Sequence, residues 1–315
     1  MRISVFPKGE LDALVAKSMS VLDWIHIAST LPIEGLELYS RFFDNESESF
    51  VEQVGDALAQ TELSLPMMCC SPDFTHPDAD ERARAVDNQA RIMRITRELG
   101  GPGASVRVLS GQRHPGVSDE QGLDWAAENI QSLLPLAREL GIVLAIENHY
   151  KDGFWEYPEF VQKPDLFVEL LSRIDDRVNF GVQFDPSNAI TAGVDSADFL
   201  ETVVDRTVTM QASDRSLAPG ATLESLRLSD GTIGYSPDLK HGVIGEGLND
   251  YDRIFRILVN AGYDGWISVE DGVNGMDEMR ASVEFLRRAR DKYFQGSMDI
   301  RVENQERARL AEKGA

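Results

Sequence analysis

Cysteine and histidine are scarce in this sequence. Its 315 residues include only two cysteines, Cys69 and Cys70, and five histidines. The cysteines are adjacent, lie in an apolar run and lack the spaced partners that a disulfide framework or a cysteine zinc site requires. We therefore interpret them as core or near-site residues and not as metal ligands. Glycine-rich phosphate cradles of the P-loop or dinucleotide kind are also missing, so the sequence implies no nucleotide cofactor.

Positive charge and long apolar segments are scarce as well. Lysine and arginine total 31 against 53 aspartates and glutamates, which gives a formal net charge of −22. This charge repels phosphate backbones, so we expect no nucleic-acid partner. The first residues, MRISVFPKGE, contain too short an apolar run for a signal peptide or a membrane span. We expect a soluble, cytoplasmic protein that acts on a small molecule and has no membrane partner.

The sequence does contain one pattern that repeats along the chain. Short runs rich in Val, Ile and Leu alternate with longer stretches of helical period, which predicts βα units and a parallel sheet. The runs occupy residues 2–6, 35–39, 63–69, 105–109, 142–147, 180–185, 207–212 and 266–270. Helices are predicted for residues 10–29, 47–60, 78–99, 119–140, 158–173, 196–204, 249–261 and 276–293. Eight units predict an α/β fold of the (β/α)8 TIM barrel type, with eight parallel strands in a single domain.

Two segments depart from this repeat. Residues 213–247 follow the seventh run and are too many for an ordinary connection, so we expect a functional loop over the site. Residues 295–315 are polar and favour a helix. We therefore predict a barrel domain that spans residues 1–294 and a C-terminal helical tail after it.

Polar residues stand at the ends of four late runs. Glu147, Asp185 and Glu270 end the fifth, sixth and eighth runs, and Gln211 lies near the end of the seventh. TIM barrels build their active sites at the carboxyl ends of the strands, so we expect these side chains to converge. A buried carboxylate needs an opposite charge, either a metal ion or a cationic side chain. Taken singly, each residue is an ordinary strand end that points to solvent. Together, three carboxylates and an amide oxygen favour one divalent ion, Mn²⁺ first, with Mg²⁺ or Co²⁺ as alternatives.

The chain also resembles a known family, the xylose-isomerase-like barrels of sugar phosphate isomerases and epimerases. The resemblance lies in five motifs: ENH at 147–149, FDPSN at 184–188, ASDR at 212–215, KHGVIGEGLNDYD at 240–252 and GYDGWISVED at 262–271. It implies a metal held by a Glu, an Asp, a His and a Glu, which map onto Glu147, Asp185, Gln211 and Glu270. Gln211 replaces the usual His, and this exchange favours a harder ion than zinc. Asn188 likewise stands where the His of the family's Asp-x-x-His motif would be.

Such a site supports proton abstraction next to a sugar carbonyl. A divalent ion that chelates the carbonyl oxygen and a neighbouring hydroxyl acidifies the adjacent C–H, because it stabilises the enediolate that forms. The resemblance implies that Glu147 and Glu270 move the proton, as in a metal-dependent sugar isomerase or epimerase. His149 is a third catalytic candidate, because it lies two residues beyond Glu147 and an imidazole titrates near neutral pH. Its alternative role is that of a loop histidine bonded to the backbone.

Substrate contacts are predicted from residues near the strand ends. Cationic and polar side chains there can meet sugar hydroxyls, a carboxylate or a phosphate, and aromatic rings can pack against a sugar. The alternative for the basic residues is simple solvation. The substrate-binding candidates are His114, Trp155, Asn188, Arg215, Lys240 and His241.

Three other functions compete with the isomerase or epimerase. Apurinic endonucleases share this barrel, but their three-zinc cluster needs many histidines, and this chain has five in total. Catalytic subunits of bacterial C-glycoside deglycosidases, which are carbon–carbon lyases, belong to the same superfamily. They remove a similar proton from a 3-oxo-C-glycoside, expel the aglycone by β-elimination and work with a small β-rich subunit. A metal-free sugar-binding barrel is the third alternative. The expected partners are therefore a sugar or sugar conjugate and, in a homo-oligomer or hetero-oligomer, a second copy of the chain or a small second subunit.

Overall fold

A ring of parallel strands forms the centre of the molecule. The computed structural model describes residues 1–227 and 233–294. Its strands are β1 (Arg2–Val5), β2 (Gly35–Leu36), β3 (Leu38–Tyr39), β4 (Met67–Cys69), β5 (Ser105–Val108), β6 (Val143–Glu147), β7 (Phe180–Phe184), β8 (Thr207–Ala212), β9 (Arg215–Leu217), β10 (Leu239–His241) and β11 (Trp266–Val269). Nine of these form the main sheet in the order β2-β1-β11-β8-β7-β6-β5-β4-β3.

The ring of strands is closed by β2 and β3, which together occupy one strand position. β2 pairs with β1 and β3 pairs with β4, both in parallel, and the two short strands are separated only by Glu37. The two edges of the sheet therefore belong to a single strand position, which leaves eight positions around the barrel. This confirms the predicted eight-stranded parallel TIM barrel, and each of the eight apolar runs contains the strand that it predicted.

Helices surround the barrel and alternate with its strands. They are α1 (Leu11–Val15), α2 (Val21–Ala28), α3 (Glu48–Thr61), α4 (Ala79–Gly100), α5 (Asp119–Leu140), α6 (Pro164–Ser172), α7 (Pro186–Thr191), α8 (Ser196–Val203), α9 (Leu223–Arg227), α10 (Tyr251–Asn260) and α11 (Met276–Ala289), with a π-helical segment at Arg290–Phe294. None of the described helices combines the length and the apolar composition that a membrane crossing requires.

The fifth helix shows how the sequence sets these boundaries. α5 begins after Ser118, whose hydroxyl accepts a hydrogen bond from the Gln121 backbone, and it ends at Gly141, which has the left-handed φ of 65°. A serine before the first turn satisfies a free N–H group, and a glycine adopts the left-handed cap without a Cβ clash. The helix therefore follows its prediction, residues 119–140.

Four parts of the chain differ from the sequence predictions. The predicted helix 10–29 is two helices, because Lys17 has a φ of 57° and Ser20 caps a new start. The predicted helix 158–173 begins only at Pro164, since a proline disfavours helical geometry in the residue before it. The long loop 213–247 contains an antiparallel hairpin of β9 and β10. α7 was not predicted, and the predicted tail, residues 295–315, lies outside the described residues.

Two glycines in helices provide a test of the packing around the barrel. A Cβ on Gly122 of α5 would lie 2.0 Å from the ring of Phe160, which is fully buried, so Gly122→Ala should lower the free energy of unfolding by about 1–3 kcal/mol. Gly55 of α3 is the matched control, because its Cβ would meet only a Leu99 methyl at 3.6 Å. Gly55→Ala should stabilise the protein by about 0.5–1 kcal/mol. Equal effects in denaturant unfolding would contradict this packing.

Candidate metal centre

Three carboxylates converge at the carboxyl ends of neighbouring strands. Glu147 ends β6, Asp185 follows β7 and Glu270 follows β11. Each offers an oxygen, the three oxygens lie within 4.8 Å of one another, and all three side chains are buried. Parallel barrel strands present their carboxyl ends on one face, which explains the convergence. The structure thus brings together three of the four residues that the sequence suggests as ligands.

Gln211, the fourth suggested ligand, points into the barrel from β8. Its Nε2 donates a hydrogen bond of 2.6 Å to Oε2 of Glu37 and lies 3.4 Å from Sγ of Cys69. Its Oε1 is buried and has no hydrogen-bond partner among the described residues. An unpaired buried carbonyl oxygen is costly, and it is also a donor atom that a hard divalent ion accepts. Three carboxylates and this oxygen fit such an ion.

Two cations that the sequence analysis missed contact the carboxylates, the buried Arg107 and the partly buried Lys8. Arg107 of β5 donates from Nη1 to Oε2 of Glu147 at 2.7 Å, and Lys8 donates from Nζ to Oε1 of Glu270 at 2.8 Å. Arg107 is also held by the carbonyl of Cys70 at 3.2 Å. The sequence does contain a signal for Arg107, because it lies inside the apolar run SVRVL. A charged residue in a buried strand needs a partner of opposite charge.

The carboxylates differ in how readily they ionise. Burial raises the pKa of Glu147 to about 7, although Arg107 opposes the shift. Burial also acts on Glu270, but the charge of Lys8 and hydrogen bonds from Asp185 and Lys8 outweigh it and lower the pKa to about 2. Burial and the two neighbouring glutamate charges raise the pKa of Asp185 well above its usual value. Asp185 therefore holds its proton more readily than an ordinary aspartate does.

Two asparagines fix the orientation of this centre. The side chain of Asn148 donates to the Asp185 carbonyl at 2.7 Å and accepts from the Asp185 N–H at 2.8 Å. Asn188 donates from Nδ2 to Oε1 of Glu147 at 2.9 Å, and its N–H donates to Oδ1 of Asp185 at 2.9 Å. Asn188, which the sequence suggested for the substrate, is thus in contact with two of the carboxylates. Asn188 thus positions the carboxylates of Glu147 and Asp185.

A cavity of about 360 Å³ opens beside the carboxylates. Its polar lining includes Lys8, Arg107, His149, Asp152, His241 and Glu270, and its aromatic lining comprises Phe6, Tyr39, Tyr150, Phe154 and Tyr235. Phe154 and Tyr235 are 49% and 51% exposed, which is unusual for large apolar side chains. A mixed polar and aromatic cavity of this size suits a small organic molecule.

His149 lines the cavity and is neutral. Its ring stacks on Tyr150 with a centroid distance of 5.3 Å, and its Nδ1 is 4.0 Å from Oε2 of Glu159. Neither of these two buried atoms has a hydrogen-bond partner among the described residues. Burial and the positive charge of Arg107 lower the pKa of His149 to about 3. A neutral imidazole can accept a hydrogen bond, but a pKa so far below neutral makes it a weak base in this state of the protein.

The hairpin of β9 and β10 places its three candidate residues differently. His241 lines the cavity, and its Nδ1 lies 2.7 Å from Oδ1 of the buried Asp271. Arg215 pairs with His241 across the hairpin, but it is buried behind the wall, where it donates to the Gly234 carbonyl and lies 5.0 Å from the ring of Tyr150. Lys240 is exposed and does not belong to the described cavity lining.

The two remaining substrate candidates lie outside the main cavity. His114 is bound to Asp73, with 2.7 Å between Nε2 and Oδ2. Trp155 lines a neighbouring cavity of about 290 Å³ together with Arg41. Their positions at the barrel mouth follow from their loops, but the direction of each side chain could not be derived from the sequence.

The barrel is that of a known family. Residues 25–289 match the xylose isomerase-like TIM barrel family, and the chain belongs to that family. Among curated protein sequences, none matches this chain.

Solved structures with the same fold include several sugar epimerases. A D-tagatose 3-epimerase-like protein is 19% identical with a TM-score of 0.72, covering 93% of this chain and 98% of that one. The 3-keto-D-glucoside 4-epimerase of E. coli is 16% identical with a TM-score of 0.66, covering 92% and 99%. The IOLI protein, described with a binding zinc atom, is 13% identical with a TM-score of 0.68, covering 94% and 100%. At these identities the similarity establishes the fold.

Glu159 predicts a pH-dependent stability. Burial raises its pKa from 4.5 to about 8, although hydrogen bonds from the hydroxyl and N–H of Ser110 oppose the shift. The proton on folded Glu159 therefore stabilises the fold fully below about pH 4.5, and this contribution is lost as pH rises through about 8. Glu159→Gln should abolish this loss, so its stability relative to wild type should increase between pH 5 and pH 8.

Thermal unfolding across this pH range measures the effect. Glu156→Gln removes a carboxylate three residues away on the exposed surface and is the matched control. A constant difference between Glu159→Gln and wild type would show that Glu159 is ionised in the folded protein.

Proposed function

We propose that this chain is a divalent-metal-dependent enzyme that abstracts a proton next to the carbonyl of a sugar or sugar conjugate, as a sugar isomerase or epimerase does. The observation that carries the proposal is the buried cluster of Glu147, Asp185 and Glu270, with Glu270 opening into a cavity of about 360 Å³. The family and the epimerases among its structural neighbours support this reaction class.

The proposed ligands of the ion are Glu147, Asp185, Glu270 and Oε1 of Gln211. Four oxygen donors favour Mn²⁺, with Mg²⁺ or Co²⁺ as alternatives, over the zinc described for the IOLI protein. When bound, the ion supplies positive charge beside the sugar carbonyl, where negative charge develops as the proton leaves.

The side chains around the cavity divide the remaining tasks. Glu147 on β6 and Glu270 after β11 would accept and return the proton from two sides of the sugar, as an epimerase requires. Lys8 keeps Glu270 ionised and in place, and Arg107 holds Glu147 in place while opposing the rise in its pKa. His149 is neutral beside them and is the alternative proton acceptor, and His241 is positioned by Asp271 to bind a sugar oxygen.

Removing either glutamate charge should abolish turnover without unfolding the protein. Glu147→Gln and Glu270→Gln keep the side-chain volume but remove a metal ligand charge and a proton acceptor, so we expect a loss of at least about 10²-fold. The assay is deuterium uptake from D₂O into a panel of ketoses and 3-oxo-glucosides, with bound metal determined by elemental analysis. Glu246→Gln, on the exposed surface, is the control. If both active-site variants unfold, Glu147 and Glu270 stabilise the fold and the proposed catalytic role is wrong.

A second candidate is the C-glycoside lyase, favoured by the aromatic mouth of the cavity. Phe154 and Tyr235 expose about half of their surface there, although solvent exposure of aromatic rings is unfavourable. The planar aryl aglycone of a C-glycoside would cover these rings. This enzyme would expel the aglycone from a 3-oxo-C-glycoside and would require a small β-rich partner subunit.

Substitution of His149 separates the two candidates. If the glutamates epimerise the sugar, His149→Asn should lower turnover only modestly, because the amide keeps one hydrogen bond. If His149 is the base of an eliminating lyase, the loss should be about 10²–10⁴-fold. Products in D₂O give a second measurement: an epimerase leaves deuterium in an intact sugar, whereas a lyase releases the aglycone and an unsaturated sugar. A large loss together with aglycone release would overturn the epimerase proposal.

A further inference from the structure

The two ends of the Gln211 amide have different surroundings. The nitrogen donates to Glu37 and lies near Cys69, whereas the oxygen is buried without a partner among the described residues. A glutamine amide can rotate by half a turn and exchange these ends, and only the oxygen end can bind a cation. The neighbours of Gln211 therefore decide which of the two amide orientations is occupied.

The strand register places Gln211 between two of the carboxylates. Phe184 pairs with Met210, so the next residues along these strands, Asp185 and Gln211, are neighbours. On the other side Gln211 pairs with Ser268, two residues before Glu270. Gln211 therefore lies next to Asp185 and two residues before the level of Glu270, on the strand between them.

Glu37 is held rigidly at the point where the barrel closes. It is the single residue between β2 and β3, its N–H donates to the Val5 carbonyl at 2.8 Å, and its side chain is fully buried. Its Oε2 accepts from Gln211. Half a turn of the amide would bring Oε1 of Gln211 against this acceptor oxygen, and two acceptor atoms form no hydrogen bond.

We propose that Glu37 is a positioning residue for the metal centre: by accepting from Nε2 of Gln211, it fixes the amide so that Oε1 is the atom presented to the ion. This inference rests on the proposed metal-dependent function. Residues that orient a metal ligand typically contribute about 10–100-fold to metal affinity. Through this contact, Glu37 makes Gln211 present its oxygen, and not its nitrogen, to the proposed ion.

Mn²⁺ binding to the full-length, metal-depleted protein tests the inference, with free Mn²⁺ followed by electron paramagnetic resonance. Glu37→Leu removes the acceptor of Nε2 and leaves the Gln211 amide without a fixed orientation, so the affinity should fall by about 10–100-fold. Gln211→Ala should cause a similar loss, and Glu37→Leu should add nothing in the Gln211→Ala background. Ser4→Ala is the control, because Ser4 is equally buried and its Oγ has no partner among the described residues.

The possible results distinguish this inference from the proposed function. Normal Mn²⁺ affinity in Glu37→Leu, with weakened binding in Gln211→Ala, would overturn the role of Glu37 alone. Unchanged affinity in Gln211→Ala would overturn it as well and would reduce the ligands to the three carboxylates. Absence of Mn²⁺ binding in wild type would overturn the metal centre too. If Glu37→Leu does not fold, Glu37→Asp, whose shorter side chain leaves the amide without its acceptor, should show the same loss.

Discussion

The close approach of three buried carboxylates is the constraint on which the site depends. Burial and mutual repulsion both disfavour ionisation of such a cluster. The protein compensates with Lys8 against Glu270 and Arg107 against Glu147, and the pKa of Asp185 is raised. Two cations face three carboxyl groups, and the proposed divalent ion would supply the remaining positive charge. The same two cations line the cavity, so the groups that compensate the carboxylates also face its interior.

The sequence predicted the barrel well because its signal is local. Parallel strands are buried on both faces, so each appears as a continuous apolar run, and the acids that end these runs stand out. Glu147, Asp185 and Glu270 could therefore be identified together. Arg107 and Lys8 could not, because their contacts join residues 40 and 262 positions apart. The direction of a loop side chain is also set by such distant contacts, which is why Arg215 and His114 lie away from the cavity.

Residues that replace the family's histidines keep a function in the structure. Asn188 supplies a neutral donor to Glu147, and Gln211 supplies an oxygen that its neighbours leave unpaired. Neither amide titrates, unlike an imidazole. The pH response of this cluster therefore comes from its carboxylates, and the donor atoms that it offers to the proposed ion are oxygens.

The pairing of Lys8 with Glu270 links the beginning of the barrel to its end. β1 is made first and β11 last, and the contact between them spans 262 residues. While the chain is synthesised, the partly buried Lys8 has no partner from Glu270 until the final strand is available. The ion pair is therefore formed only when β11 joins β1, so the step that closes the ring also completes this part of the site.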